Sequence, residues 1–255
     1  MDKSLYNKFK QDLGISDAIN EYIEVLLRQF ENVPHDESSF QLIASRYGIR
    51  VNDVDPQIAI SKIREYYIIS VFQVFEAFLD QMHNYLKDFG KYNGSKDSTD
   101  SMLKHIHKNL VGMKRTSESS YLNYLICDYY RRIRNLCAHT DNTDKVQNAH
   151  QHLLERKEEI EAAYPQLQAP NDFQQITFDD FVLYSRAAKN LAEEYVSNIK
   201  YDTERFISKF DVDRFRVYRN NPKRLRDKLE WDLKVNYSIK ADDVERIVDK
   251  LVERI

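Results

Sequence analysis

Apolar residues return at helical spacing along most of this chain, so the pattern predicts helix after helix. Ile15, Ile19, Tyr22, Ile23, Leu26, Leu27 and Phe30 mark the first, which Pro34 stops, and Phe40 to Tyr47 a short second, with Gly48 as its C-cap. The turn around Asn52 to Pro56 closes an N-terminal helical appendage, residues 1–56. A long helix follows from about Gln57 to Phe89. Its stripe of Ile60, Ile63, Tyr67, Val71, Val74, Phe78, Met82, Tyr85 and Phe89 is widened by Phe72, Phe75 and Leu79, which predicts a central position in a bundle. After the Gly/Ser/Asp/Lys loop at 90–100 come helices over about Asp100–Gly112 and Ser119–His139. Asp141 to Asp144 reads as a turn capping a further helix that runs to about Ala163. Thr177 with Asp180 reads as a capping box opening a helix to about Lys200. Residues 57–200 thus read as one helical bundle. Residues 201–255 read as a C-terminal basic appendage of two or three shorter helices, with an extended piece at Phe215 to Tyr218.

Composition agrees with an all-α class. Only 5 Gly and 5 Pro interrupt 255 residues, 31% of them charged and 42% hydrophobic. The net charge of −3 gives no global basic field, which leaves room for a local patch. Cys127 and Cys137 alone do not make a disulfide framework and point to a reducing compartment. Residues 1–10 are too polar for a signal peptide. The most apolar window, Tyr66 to Leu79, is too short to span a bilayer. The expectation is a cytoplasmic protein with no membrane segment.

Chemistry concentrates near the end of the Ser119–His139 helix. At about 100° per residue, Leu122, Leu125, Ile126, Tyr129, Ile133, Leu136 and Cys137 fall on one side, and Tyr124, Asp128, Arg131, Asn135 and His139 on the other. The bland reading of that polar stripe is a solvated face, with arginine and histidine complementing the helix dipole. The functional reading is a site in which arginine holds a phosphate oxygen and histidine moves a proton, as metal-free cleavage of RNA requires. Arg28 and His35 match the same loose spacing, but Pro34 breaks their helix.

Arg134-Asn135-Leu136-Cys137-Ala138-His139 resembles the signature of the HEPN superfamily: an arginine, a polar residue, then a histidine after a short spacer. Val71 to Leu79, an aromatic run carrying Glu76, is similar to the first core helix of HEPN domains, and Ile176 to Phe181 to the lead-in of their last. The resemblance covers about Gln57 to Lys200. It implies a HEPN-like helical bundle with helical appendages. It also implies a homodimer in which two signatures meet in one composite site, and a metal-independent endoribonuclease that needs no cofactor. Such an enzyme would act on RNA as a toxin or phage-defence effector, with a cognate antitoxin or defence-system partner. By position, Arg134 and His139 become the signature pair and Asn135 the polar neighbour. Arg134 and His139 lie about 140° apart on an ideal helix. A frayed helix end, or a histidine supplied by the second copy, would reconcile them. Arg131, Asp128 and Glu76 are supporting candidates, Glu76 sharing a polar strip with Asp80 and His83. The alternatives are a catalytically silent HEPN scaffold or binding module, and a nucleic-acid-binding regulator without cleavage.

Other constellations are weaker. His105-Ile106-His107 and His150-Gln151-His152 sit in predicted helices, where i and i+2 diverge by about 200°, so no metal site is assigned. Cys137 falls on the apolar side and is expected to be buried. From Arg214 to Lys228, seven cations stand against Asp227, a local balance of +6. Arg214, Arg216, Arg219, Lys223, Arg224 and Arg226 are RNA-binding candidates there, interleaved with Phe215 and Tyr218. The competing reading is a face balanced by acids elsewhere in the appendage.

Overall fold

Scarce breakers and uninterrupted 3.6-residue periodicity leave the backbone one economical way to satisfy its own hydrogen bonds. The computed structural model describes residues 3–31, 37–52, 55–92, 94–113, 118–138, 143–237, 239 and 241–255. Its helices are α1 (Lys3–Glu31), α2 (Glu37–Arg46), α3 (Pro56–Phe89), α4 (Met102–Leu110), α5 (Glu118–Ala138), α6 (Thr143–Leu154), α7 (Lys157–Ala163), α8 (Phe178–Ser197), α9 (Thr203–Lys209), α10 (Pro222–Val235) and α11 (Ala241–Val252). A 3-10 helix occupies Asp213–Tyr218, where the sequence suggested an extended piece. The single helix expected up to Ala163 is broken into α6 and α7 by a turn at Glu155 and Arg156. Among the described residues there is no strand, so the class is all-α, and no helix is long and apolar enough to cross a membrane.

The expected stop signals act as predicted where they are described. Gly48 takes φ +67, and the N–H groups of Gly48 and Ile49 return to the carbonyls of Ser45 and Ala44, closing α2. Pro34 lies outside the described residues; α1 ends at Glu31. Ser101 caps α4 by accepting from the Lys104 N–H at 3.2 Å.

The chain forms two compact units. An inner unit takes Leu13–Gln73 and Leu125–Arg186; a terminal unit takes Met1–Asp12, Val74–Tyr124 and Ala187–Ile255. In the inner unit the core gathers Tyr67, Ile68 and Val71 of α3, Ile126, Tyr129, Tyr130 and Ile133 of α5, and Phe181, Leu183 and Tyr184 of α8. Asp180, fully buried, stitches it together. Its carboxylate accepts from the Tyr130 hydroxyl at 2.8 Å, from the Asn171 N–H and side-chain amide, each at 2.8 Å, and from the Thr177 N–H and hydroxyl at 2.8 and 2.9 Å. The Thr177–Asp180 capping pair is thus also a buried junction.

Helix α1 enters the inner unit with its polar side turned in. Leu13, Asp17, Asn20 and Glu24 are buried, while Ile15, Ile19, Tyr22, Val25 and Leu26 are exposed. The Ser185 hydroxyl donates to both Asp17 oxygens (2.9 and 2.8 Å), and the Asn20 amide donates to the Ser70 hydroxyl (2.7 Å). Arg64 and Arg28 both hold Glu24, at 3.0 and 3.1 Å.

In the terminal unit, Phe75, Phe78, Leu79, Met82 and Leu86 of α3 are buried with Leu103 and Ile106 of α4 and Leu191 and Tyr195 of α8. A second cluster closes the C-terminal end around Phe206, Phe210, Leu225, Leu229, Leu233, Ile247 and Leu251. His105 and His107 of α4 are both buried and diverge as neighbours two apart on a helix must. His105 lies edge-on to His83 and Tyr92, whose own contact, His83 Nδ1 to the hydroxyl, is 2.6 Å. His107 stacks on Tyr124 at 4.4 Å and meets the Tyr195 hydroxyl at 3.2 Å.

Candidate functional site

From Ile126 to Tyr130 every residue of α5 is buried, and from Arg131 on Ile133 alone is buried among the described side chains, so burial cuts across the two faces drawn from periodicity. Asp128, on the expected polar face, is only 9% exposed. A carboxylate there needs cationic partners, and it has two. Arg131 donates from Nε and NH2 to Oδ1 at 2.8 and 2.6 Å, and Arg132 from Nε to Oδ2 at 2.7 Å. Arg131, expected to touch phosphate, is therefore committed to Asp128. Arg132, not singled out from the sequence, completes the clamp; its spacing of four residues from an acid on a helix was the available signal.

Arg134 is arranged differently. Its guanidinium lies 4.5 Å above the Phe72 ring and donates to the Asn135 side-chain oxygen at 3.2 Å. Among the described residues no carboxylate pairs with it. Phe72 is a nearly buried platform that fixes the plane of the guanidinium without neutralising it. The structure thus brings together Arg134, Asn135 and Phe72, with the Asp128 clamp one turn earlier. Three guanidinium groups (Arg131, Arg132, Arg134) against one carboxylate (Asp128) leave a local charge of +2. His139 lies outside the described residues, one position beyond the end of α5. Glu76 and Asp80 are exposed on α3, whereas His83, the third member of their strip, is turned to Tyr92.

Cys137 is exposed rather than buried, because the final turn of α5 stands clear of the core. It borders a groove of about 490 Å³, lined also by Lys62, Glu65, Leu136 and Phe173. Its thiol donates to Glu65 at 3.5 Å, and Lys62 pairs with the same carboxylate at 2.8 Å. Partial burial, then the Glu65 charge, pushes the Cys137 thiol up to about 11. A thiol so disfavoured as thiolate is a poor nucleophile.

The two H-x-H pairs do not converge on a common point. His150 meets the Pro170 carbonyl at 3.2 Å and stacks on Tyr129. Burial lowers the pKa of His83, His105 and His107, the last to about 4. The Nε2 atoms of His105 and His107 are buried with no hydrogen-bond partner among the described residues.

In the C-terminal basic stretch, Arg214 pairs with Asp232 and lies against the rings of Phe210 and Phe215. Arg216 pairs with Asp213 at 3.1 Å, and Arg226 with Asp249 at 2.6 Å. Arg224 covers Tyr218, while Arg219 and Lys223 are exposed. Three of the six candidate RNA contacts are thus held by acids of the same C-terminal segment.

No protein-family model matches the chain, and neither a curated protein nor a solved structure does.

Proposed function

We propose that this chain is a metal-independent endoribonuclease of the HEPN type, a toxin or defence effector whose substrate is single-stranded or looped RNA. The observation that carries the reading is the state of Arg134. Its neighbours are spent on Asp128, but among the described residues it pairs with no acid, is oriented on Phe72 and is adjacent to Asn135. A fixed, unneutralised guanidinium is what a phosphodiester needs as its charge grows in a pentacoordinate transition state. In the proposed reaction His139 takes the 2′-hydroxyl proton and the 2′-oxygen attacks the adjacent phosphorus. The 5′-oxygen then leaves with a proton from the His139 of a second copy or from water. The products are a 2′,3′-cyclic phosphate and a 5′-hydroxyl. Imidazole suits both transfers, with an unperturbed pKa of about 6.5. Asn135 is the positioning residue for Arg134.

The test is incubation of the purified protein with total RNA in EDTA, followed by mapping of the new ends. Wild type should yield cyclic-phosphate ends. His139→Ala and Arg134→Ala should each lower the rate by roughly a hundredfold or more while keeping the wild-type circular dichroism. Intact RNA with folded wild-type protein, or undiminished cleavage by either variant, refutes the assignment.

A further inference from the structure

We propose that α1 is a self-association surface, pairing antiparallel with α1 of a second copy of this chain. The proposal takes from the nuclease reading only its call for two copies; the inverted amphipathicity of the helix carries it alone. Ile15, Ile19, Tyr22 and Leu26 are 56, 55, 69 and 48% exposed, whereas Asn20 and Glu24 on the opposite side are 5 and 3% exposed. At about 100° per residue, those four apolar side chains fall within an arc of about 60°, a stripe about 16 Å long.

The rotation of the helix is fixed, so the exposure is not a matter of a loosely docked element. Asp17 is held by Ser185 of α8, and Asn20 and Glu24 by Ser70 and Arg64 of α3. Turning the apolar stripe inward would take Asp17, Asn20 and Glu24 away from Ser185, Ser70 and Arg64 and set apolar side chains against those partners, which is why the stripe stays out.

Three features select the occupant. Every charged residue between Leu13 and Glu31 lies more than about 90° from the centre of the stripe, so an identical copy meets no like charge there. The intervals along the stripe are four, three and four residues, the same read from either end. A two-fold axis between Asn20 and Glu21 therefore sets Ile15 of one copy on Leu26 of the other, and Ile19 on Tyr22, in coiled-coil fashion. With Val25, 57% exposed at the margin of the stripe, the apolar surface amounts to roughly 500 Å² per copy, so a pair covering all of it would bury at most roughly 1,000 Å², the size at which specific interfaces begin. A lipid surface fits poorly, because an interfacial helix keeps a cationic face in water, and here the polar face is acidic and buried.

Sedimentation equilibrium of the full chain and of an Ile19→Lys/Tyr22→Lys variant tests this. Wild type should be a dimer, and the variant should dissociate with a constant raised at least roughly a hundredfold, since four unpaired charges would be buried in the pair. Both substituted side chains are exposed, so circular dichroism should not change, and the melting temperature should fall only as far as that of dilute, dissociated wild type. In a Cys137→Ser background, Ile19→Cys/Tyr22→Cys should oxidise to a covalent dimer through the 19–22 pairing. A wild-type monomer at about 100 µM, a dimer indifferent to the lysines, or binding of the monomer to phosphatidylglycerol vesicles through the stripe overturns the proposal. RNA cleavage plays no part in this readout, so its failure and that of the nuclease reading are distinguishable.

Discussion

Acid should destabilise the protein through His107, and the size of the effect can be worked out. The imidazole is fully buried, stacked on Tyr124 and touching the Tyr195 hydroxyl, and burial takes its pKa down to about 4. In the unfolded chain it titrates near 6.5. Between those values the unfolded state binds a proton that the folded state refuses, so stability falls as pH falls. The contribution is whole above about pH 6.5 and is gone below about pH 4. A difference of about 2.5 pH units at about 1.4 kcal/mol each gives about 3–4 kcal/mol. His83 and His105, also lowered by burial, act with the same sign. Replacing His107 by Phe keeps a ring on Tyr124 and removes a buried nitrogen that has no partner among the described residues. Urea unfolding followed by circular dichroism at pH 7.5 and 4.5 provides the check. Wild type should lose about 2–3 kcal/mol more than His107→Phe between those pH values. Parallel losses in the two proteins would refute the reasoning and show that the imidazole is solvated when protonated.

Two further outcomes follow from single residues. Asp180→Ala removes the acceptor shared by Tyr130, Asn171 and Thr177, and should cost about 3–5 kcal/mol in a thermal or denaturant melt. A loss under about 1 kcal/mol would mean those donors find other partners. Cys137, raised to about 11, should react slowly with a thiol reagent at pH 7.5, accelerate about tenfold per pH unit, and shift its midpoint down in Glu65→Gln. A thiolate midpoint near 8 would contradict the Glu65 contact.

The existence and type of the long helices were legible because α3, α5 and α8 carry periodic apolar stripes and explicit end signals. Gly48, and Asp180 with Thr177, do locally what their residue types suggest. What periodicity did not reveal is which face turns inward. In α1 the apolar residues mark the helix but do not bury it; the buried face is chosen by Asp17, Asn20 and Glu24 finding Ser185, Ser70 and Arg64. Those partners lie 40 or more residues away in sequence, and a pattern read within one helix carries no information about them. The same limit explains Cys137, which shares an arc with Leu136 but stands where the core has ended.

At the candidate site three arginines are legible in the sequence, but how they are partnered is not. Arg131, Arg132 and Arg134 look equivalent as a string. Asp128 makes them unequal: it is too buried to stand alone as an anion, and the helix places Arg131 and Arg132 three and four residues on, within reach. Arg134, six residues on, is carried round the helix to Phe72 instead. Neutralising the clamp therefore should not simply delete charge. With Asp128→Asn the guanidinium groups of Arg131 and Arg132 lose their anion. Under the proposed function they would compete with Arg134 for phosphate, so RNA cleavage by that variant should fall although Asp128 itself need not touch RNA.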